Sequence, residues 1–224
     1  GPSFGGPAPP RQTPLGPAGR ASRLRLGAGM RRDDVAAALE RDGVAVFPVD
    51  PATARWAAAA RVAARPLIAG ARARGDGLRC AGTWLAGVDL LPNAPDGSIG
   101  GVPLAGAACA ALGALGMAPA RWHAAQVSVT WAGYPQPMED ESPGAARYRM
   151  RRDAAHVDGL LPVGPQRRRH LKEPHAFILG LPLTQSDPRA APLVVWAGSH
   201  RRLGNAFAAA RAAVPEAAAD EIDL

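Results

Sequence analysis

Two cysteines, a single lysine (Lys172), 5% aromatic residues and no long uninterrupted apolar run define this 224-residue chain first by what it has little of. Cys80 and Cys109 stand 29 residues apart without a CxxC pair, so neither a zinc knuckle nor a disulfide framework is indicated, and two buried thiols in a reducing compartment are expected. The longest apolar stretch, residues 102–117, is broken by glycine and falls short of the roughly 18–20 residues that cross a bilayer. No membrane partner is expected. An N-terminal segment with a charged head and an apolar stretch is also missing, which makes the cytoplasm the expected compartment.

Against these shortages stand 47% hydrophobic residues and only 20% charged ones, too apolar a balance for wholesale disorder. The net charge of +7 suggests a nucleic-acid partner only until its location is considered. Arg11, Arg20, Arg23, Arg25, Arg31 and Arg32 precede the first acid, Asp33, and the rest of the chain carries 20 basic and 19 acidic residues. No nucleic-acid partner is therefore expected. The 50 alanines and the preference for Arg over Lys fit a GC-rich coding sequence.

Residues 1–29 are rich in Gly, Pro and Arg and read as a flexible leader, with Met30 as the natural start and residues 30–224 as one domain. A transit peptide is the alternative reading, but prolines at 2, 7, 9, 10, 14 and 17 oppose the amphipathic helix it needs. Within the domain, Asp33 to Gly43 has acids at its first turn and glycine at its end, the pattern of a capped helix. Residues 44–49 (VAVFPV) predict a strand, and Asp50 predicts the cap of an Ala-rich helix running towards Arg65 and Pro66. Further strands are expected over 81–91, 122–131, 174–184 and 192–196, with helices over 102–116 and 205–219.

The chemistry concentrates in His156-Val157-Asp158. Side chains two apart on a strand share a face, so an imidazole and a carboxylate can reach one ion from a rigid edge. Two His and one carboxylate on one face of an octahedron leave three positions for a chelating co-substrate and O₂, and His156 with Asp158 make two thirds of that set. Taken alone, the triplet is a weak signal, since a His–Asp ion pair at a strand end gives the same pattern.

Downstream, residues 191–201 (APLVVWAGSHR) form an apolar run ending in Gly-Ser-His-Arg, and residues 41–49 (RDGVAVFPV) place an Asp-Gly before a β-branched run. With the HxD triplet between them, these segments resemble the phytanoyl-CoA dioxygenase-like family of Fe(II)/2-oxoglutarate oxygenases over about residues 33–203. The resemblance implies a mainly β fold with flanking helices, a double-stranded β-helix or jelly roll of cupin type. It implies Fe(II) and 2-oxoglutarate as cofactors, O₂ and a small-molecule substrate as partners, and hydroxylation as the reaction. It assigns His156 and Asp158 to the metal, and the retained carboxylate disfavours the related halogenases.

The family's third ligand is a second His beyond the G-S-H turn, followed by an Arg that pairs with 2-oxoglutarate. After His200 the chain has no His, and its last Arg is Arg211. The expectation is a jelly roll incomplete at its C-terminus, holding Fe(II) weakly. His200 is the alternative third ligand, as in a cupin-type metal enzyme; a non-catalytic jelly-roll binding or regulatory module is the other reading. His123, His170 and His175 are read as packing or loop residues.

Gln126, Ser128 and Thr130 alternate along one strand and are candidates for touching 2-oxoglutarate or substrate; solvent is the competing neighbour for that face. Met138 to Glu141 (MEDE) reads as a solvated lid loop. Residues 166–172 (QRRRHLK) read as a basic loop near the mouth of the site, suited to an anionic substrate through arginine forks, or simply solvated. Trp131 and Trp196 are expected in the core.

Overall fold

A computed structural model describes residues 31–151, 156–173, 175–187, 190 and 192–213. The leader and the end of the last expected helix lie outside the described residues. Five helices and five strands follow in the order α1 (Arg32–Asp42), α2 (Pro51–Arg74), β1 (Leu78–Arg79), β2 (Trp84–Leu91), α3 (Ala107–Ala114), β3 (Ala125–Thr130), α4 (Pro143–Arg151), β4 (Leu160–Val163), β5 (Arg168–Leu171) and α5 (Ser199–Ala212). The strands form two small antiparallel sheets, β1-β2-β3 and the hairpin β4-β5. Helical residues outnumber strand residues among those described, so the architecture is mixed rather than mainly β.

Capping explains the first two helices. The Asp34 carboxylate reaches back to the Arg31 amide at 3.1 Å, and Gly43, at φ 75°, closes α1 in the left-handed conformation with its N–H on the Leu39 carbonyl. Asp50 accepts from the amides of Ala52 and Thr53 at the start of α2 and from Ala107 at the start of α3, so one carboxylate caps two helices. These interactions hold its pKa well below the ordinary carboxylate value, at about 2.

Helix α2 does not stop before Pro66 as its proline predicts, but runs on to Arg74 and ends on Gly75 at φ 76°. The carbonyl of Val62, which loses its donor at the proline, belongs to an exposed residue, so water can satisfy it. Trp56, Ala60, Ala64 and Ala71 make the buried stripe of this helix. Alanine on that stripe lets the sheet approach closely. Trp56, Ala60 and Ala64 pack with Leu91, Ile99 and Val127, and the Trp56 indole donates to the Gly97 carbonyl at 2.8 Å.

Strand β2 pairs with β3 in the register Leu85↔Val129 and Gly87↔Val127, then shifts before Leu91↔Ala125. Asp89, at φ 51°, lies within that irregularity. Leu85 is fully buried. The opposite face carries Trp84 and Ser128, whose side chains meet at 3.0 Å.

Three expected strands are absent among the described residues. Residues 44–49 connect α1 to α2 without ladder pairing. Residues 175–184 are irregular, yet Leu181 and Leu183 pack against the core and Phe177 meets Trp122 edge-on at 5.9 Å. Residues 192–196 also lack ladder pairing; Leu193 is 87% and Trp196 53% exposed, so Trp196 is not the core residue expected. Apolar content satisfied packing in residues 175–184 and left residues 192–196 uncovered, because a strand needs a neighbour as well as propensity. No helix among the described residues is long and apolar enough to cross a membrane.

Candidate functional site

The HxD triplet stands at the open end of the β4-β5 hairpin rather than within a strand. His156 and Val157 precede it, Asp158 and Gly159 form a turn, and β4 begins at Leu160. The Gly159 carbonyl accepts from the amides of Lys172 at 3.0 Å and Glu173 at 3.3 Å, which fastens the turn to the far end of β5. Gly159 has φ 82°, and a Cβ there would run into the Glu173 carbonyl, so only glycine fits. The Cδ2 of His175 lies 3.5 Å from that same position, on the rim of the turn.

His156 Nε2 and Asp158 Oδ1 lie 3.2 Å apart, with 71% and 50% of their side chains exposed. This is the separation of a His–Asp ion pair, the alternative reading of the triplet, formed on an exposed turn. An imidazole nitrogen with a carboxylate oxygen suits Fe(II), Mn(II) or Zn(II), and fits two positions of a facial triad. Among the described residues no group of three His, Cys, Asp or Glu side chains forms a metal-holding cluster.

Helix α4 precedes the triplet in the chain, and residues 152–155 between them lie outside the described residues. The Arg149 guanidinium holds Glu141 through two hydrogen bonds of 2.9 Å, and the two side chains are only 11% and 12% exposed. Glu141 also accepts from the Met138 amide at 3.0 Å. The guanidinium is the main reason the Glu141 pKa falls to about 2. The expected solvated lid is thus pinned at its last acid to α4. Eight residues separate the partners across a helix start, a spacing with no sequence signature.

The basic segment 166–172 is a hairpin arm rather than a loop. A turn from Gly164 to Arg167 joins the strands, the Arg168 side chain bonds Gln166, and Arg169 donates to the Leu160 carbonyl at 3.2 Å. His170, expected in that loop, is buried on β5.

Gln126, Ser128 and Thr130 share the exposed outer face of β3, opposite the face that packs on α2. Ser128 accepts the Trp84 indole there. An open cleft of about 530 Å³ is lined by Thr130, Trp131, Gly133, Tyr134, Pro135 and Ala190, with the Arg72 guanidinium 4.6 Å from the centre of the Trp131 ring. Of the residues singled out in the sequence, Thr130 and Trp131 line this cleft, whereas His156, Asp158, Gln126 and Ser128 do not.

His200 lies in the first turn of α5, and its Nε2 bonds the Glu40 carbonyl of α1 at 3.1 Å. His123 is exposed, and its carbonyl accepts from Asn93. Cys80 is buried as expected, while Cys109 is half-buried. No known protein family, curated protein or solved structure matches this chain.

Proposed function

We propose that the chain carries two of the three protein ligands of a non-haem Fe(II), 2-oxoglutarate-dependent oxygenase that hydroxylates a small molecule. His156 supplies the imidazole and Asp158 the carboxylate. The observation that carries this reading is their convergence to 3.2 Å on an open, glycine-fastened turn. When bound, iron with 2-oxoglutarate and O₂ would supply oxidative decarboxylation coupled to C–H hydroxylation. The task of these residues is to present both donors from one backbone unit. Gly159 fixes the carboxylate's position against β5, and the cations of the hairpin arm favour an anionic co-substrate or substrate beside it.

The finer fold belongs to the same proposal: β1-β2-β3 and β4-β5 are parts of the two sheets of a jelly roll. Antiparallel pairing in both sheets and the HxD turn beside a sheet end support it.

Mn(II) titration followed by NMR tests the ligand pair. Paramagnetic broadening of the His156 ring resonances, lost in Asp158→Ala, is expected. Broadening that persists undiminished in Asp158→Ala would contradict the pairing. A second reading, a jelly-roll binding module without redox chemistry, draws on the engagement of His200 with α1. A chain that takes up Mn(II) at the pair yet leaves 2-oxoglutarate unbound would favour it.

A further inference from the structure

The segment that suggested a third ligand makes a different set of contacts. Residues 198–201 meet the C-terminal end of α1, 160 residues earlier in the chain. The Gly198 amide donates to the Asp42 carbonyl at 2.8 Å, His200 Nε2 bonds the Glu40 carbonyl at 3.1 Å, and Arg201 reaches the Glu40 carboxylate at 3.3 Å. Carbonyls in the last turn of a helix have no partner within it, so these are the groups that need outside donors. A carbonyl only accepts, which assigns the proton of the His200 ring to Nε2.

The other edge of the ring lies beside Gly43. A Cβ at Gly43 would collide with His200 Nδ1 and stand 2.7 Å from its Cγ. Gly43 therefore serves twice: it takes the left-handed conformation that ends α1, and it leaves the space that the imidazole fills. Helix α5 has no buried residue, so packing of its own face contributes little to holding it.

We propose that Gly198-Ser199-His200-Arg201 is an intramolecular clasp, in which His200 caps the C-terminus of α1 and thereby docks α5. The Asp-Gly of the opening segment and the Gly-Ser-His-Arg of the late one are the two halves of this single docking site. With Nε2 on the Glu40 carbonyl, that nitrogen is not open to an ion while the clasp is closed. His200 is then a positioning residue, and its use as a metal ligand through Nε2 requires α5 to let go.

Hydrogen exchange of the full chain, read by mass spectrometry, separates the roles. In His200→Ala, exchange over residues 199–212 rises about five- to tenfold, the effect of losing one net hydrogen bond of cap type, while Pro51–Arg74 of α2 is unchanged and certifies the fold. His200→Gln, which keeps a donor at similar reach but offers no imidazole, retains the protection. Gly43→Ala releases α5 from the opposite side. Unchanged protection in His200→Ala, free exchange of 199–212 already in the parent chain, or His200→Gln behaving as His200→Ala would each overturn the clasp.

Discussion

Asp50 gathers three backbone amides and the Thr53 hydroxyl on one carboxylate, joining the starts of α2 and α3. Its pKa is depressed in the folded chain to about 2, mainly by the Thr53 and Ala107 amides. A depressed carboxylate contributes stability that is complete above its unfolded value and is lost as pH falls through the folded one. Urea unfolding of the parent chain should therefore show a loss between about pH 4 and pH 2 that Asp50→Ala lacks, with Asp50→Ala the less stable at pH 7. Equal pH profiles for the two would refute this. Asp50 was legible in the sequence as a cap for α2; its hold on α3, 57 residues on, was not, because a second cap depends on tertiary approach. The same limit applied to His200, whose sequence context marks it as notable without saying whether it meets a metal or a carbonyl.

At the scale of elements, α1, α2, β2 and β3 were read from caps and apolar patterning with only their ends displaced. Helix α5 begins at Ser199, well before the expected Asn205, since the glycine at 198 takes the N-cap at φ 78°. Helix α4 and the β4-β5 hairpin were not anticipated: both lie in Arg-rich stretches where charge hides periodicity. Proline within α2 argues for a variant. Pro66→Ala restores an amide to the Val62 carbonyl and should stabilise the chain by at most the ~3 kcal/mol that proline costs in a helix interior, seen as a higher thermal midpoint. An unchanged or lower midpoint would show that the surroundings have adapted to the ring. Leu85 has the opposite role. Fully buried where β2 meets the core, Leu85→Ala should cost about 2–5 kcal/mol by chemical denaturation. A loss under about 1 kcal/mol would mean that the site collapses around the smaller side chain.

Considered as a whole, the molecule keeps its core between α2 and the three-stranded sheet, ahead of the HxD turn in the chain. The second half presents chemistry on thinner support, a two-stranded hairpin with the HxD turn at its open end. The HxD pair was legible because its spacing is local. The arrangement around it was not, because it depends on Gly159 meeting Glu173 across the hairpin. Both halves remain linked by the His200 clasp and by Leu181 and Leu183 on the core.

The most direct test of the central claim is an anaerobic titration of the chain with Fe(II) and 2-oxoglutarate, followed in the visible range. The account predicts a weak charge-transfer band that disappears in His156→Ala and in Asp158→Ala and survives in His200→Gln. Absence of the band in the parent chain, or its persistence in His156→Ala, would contradict it.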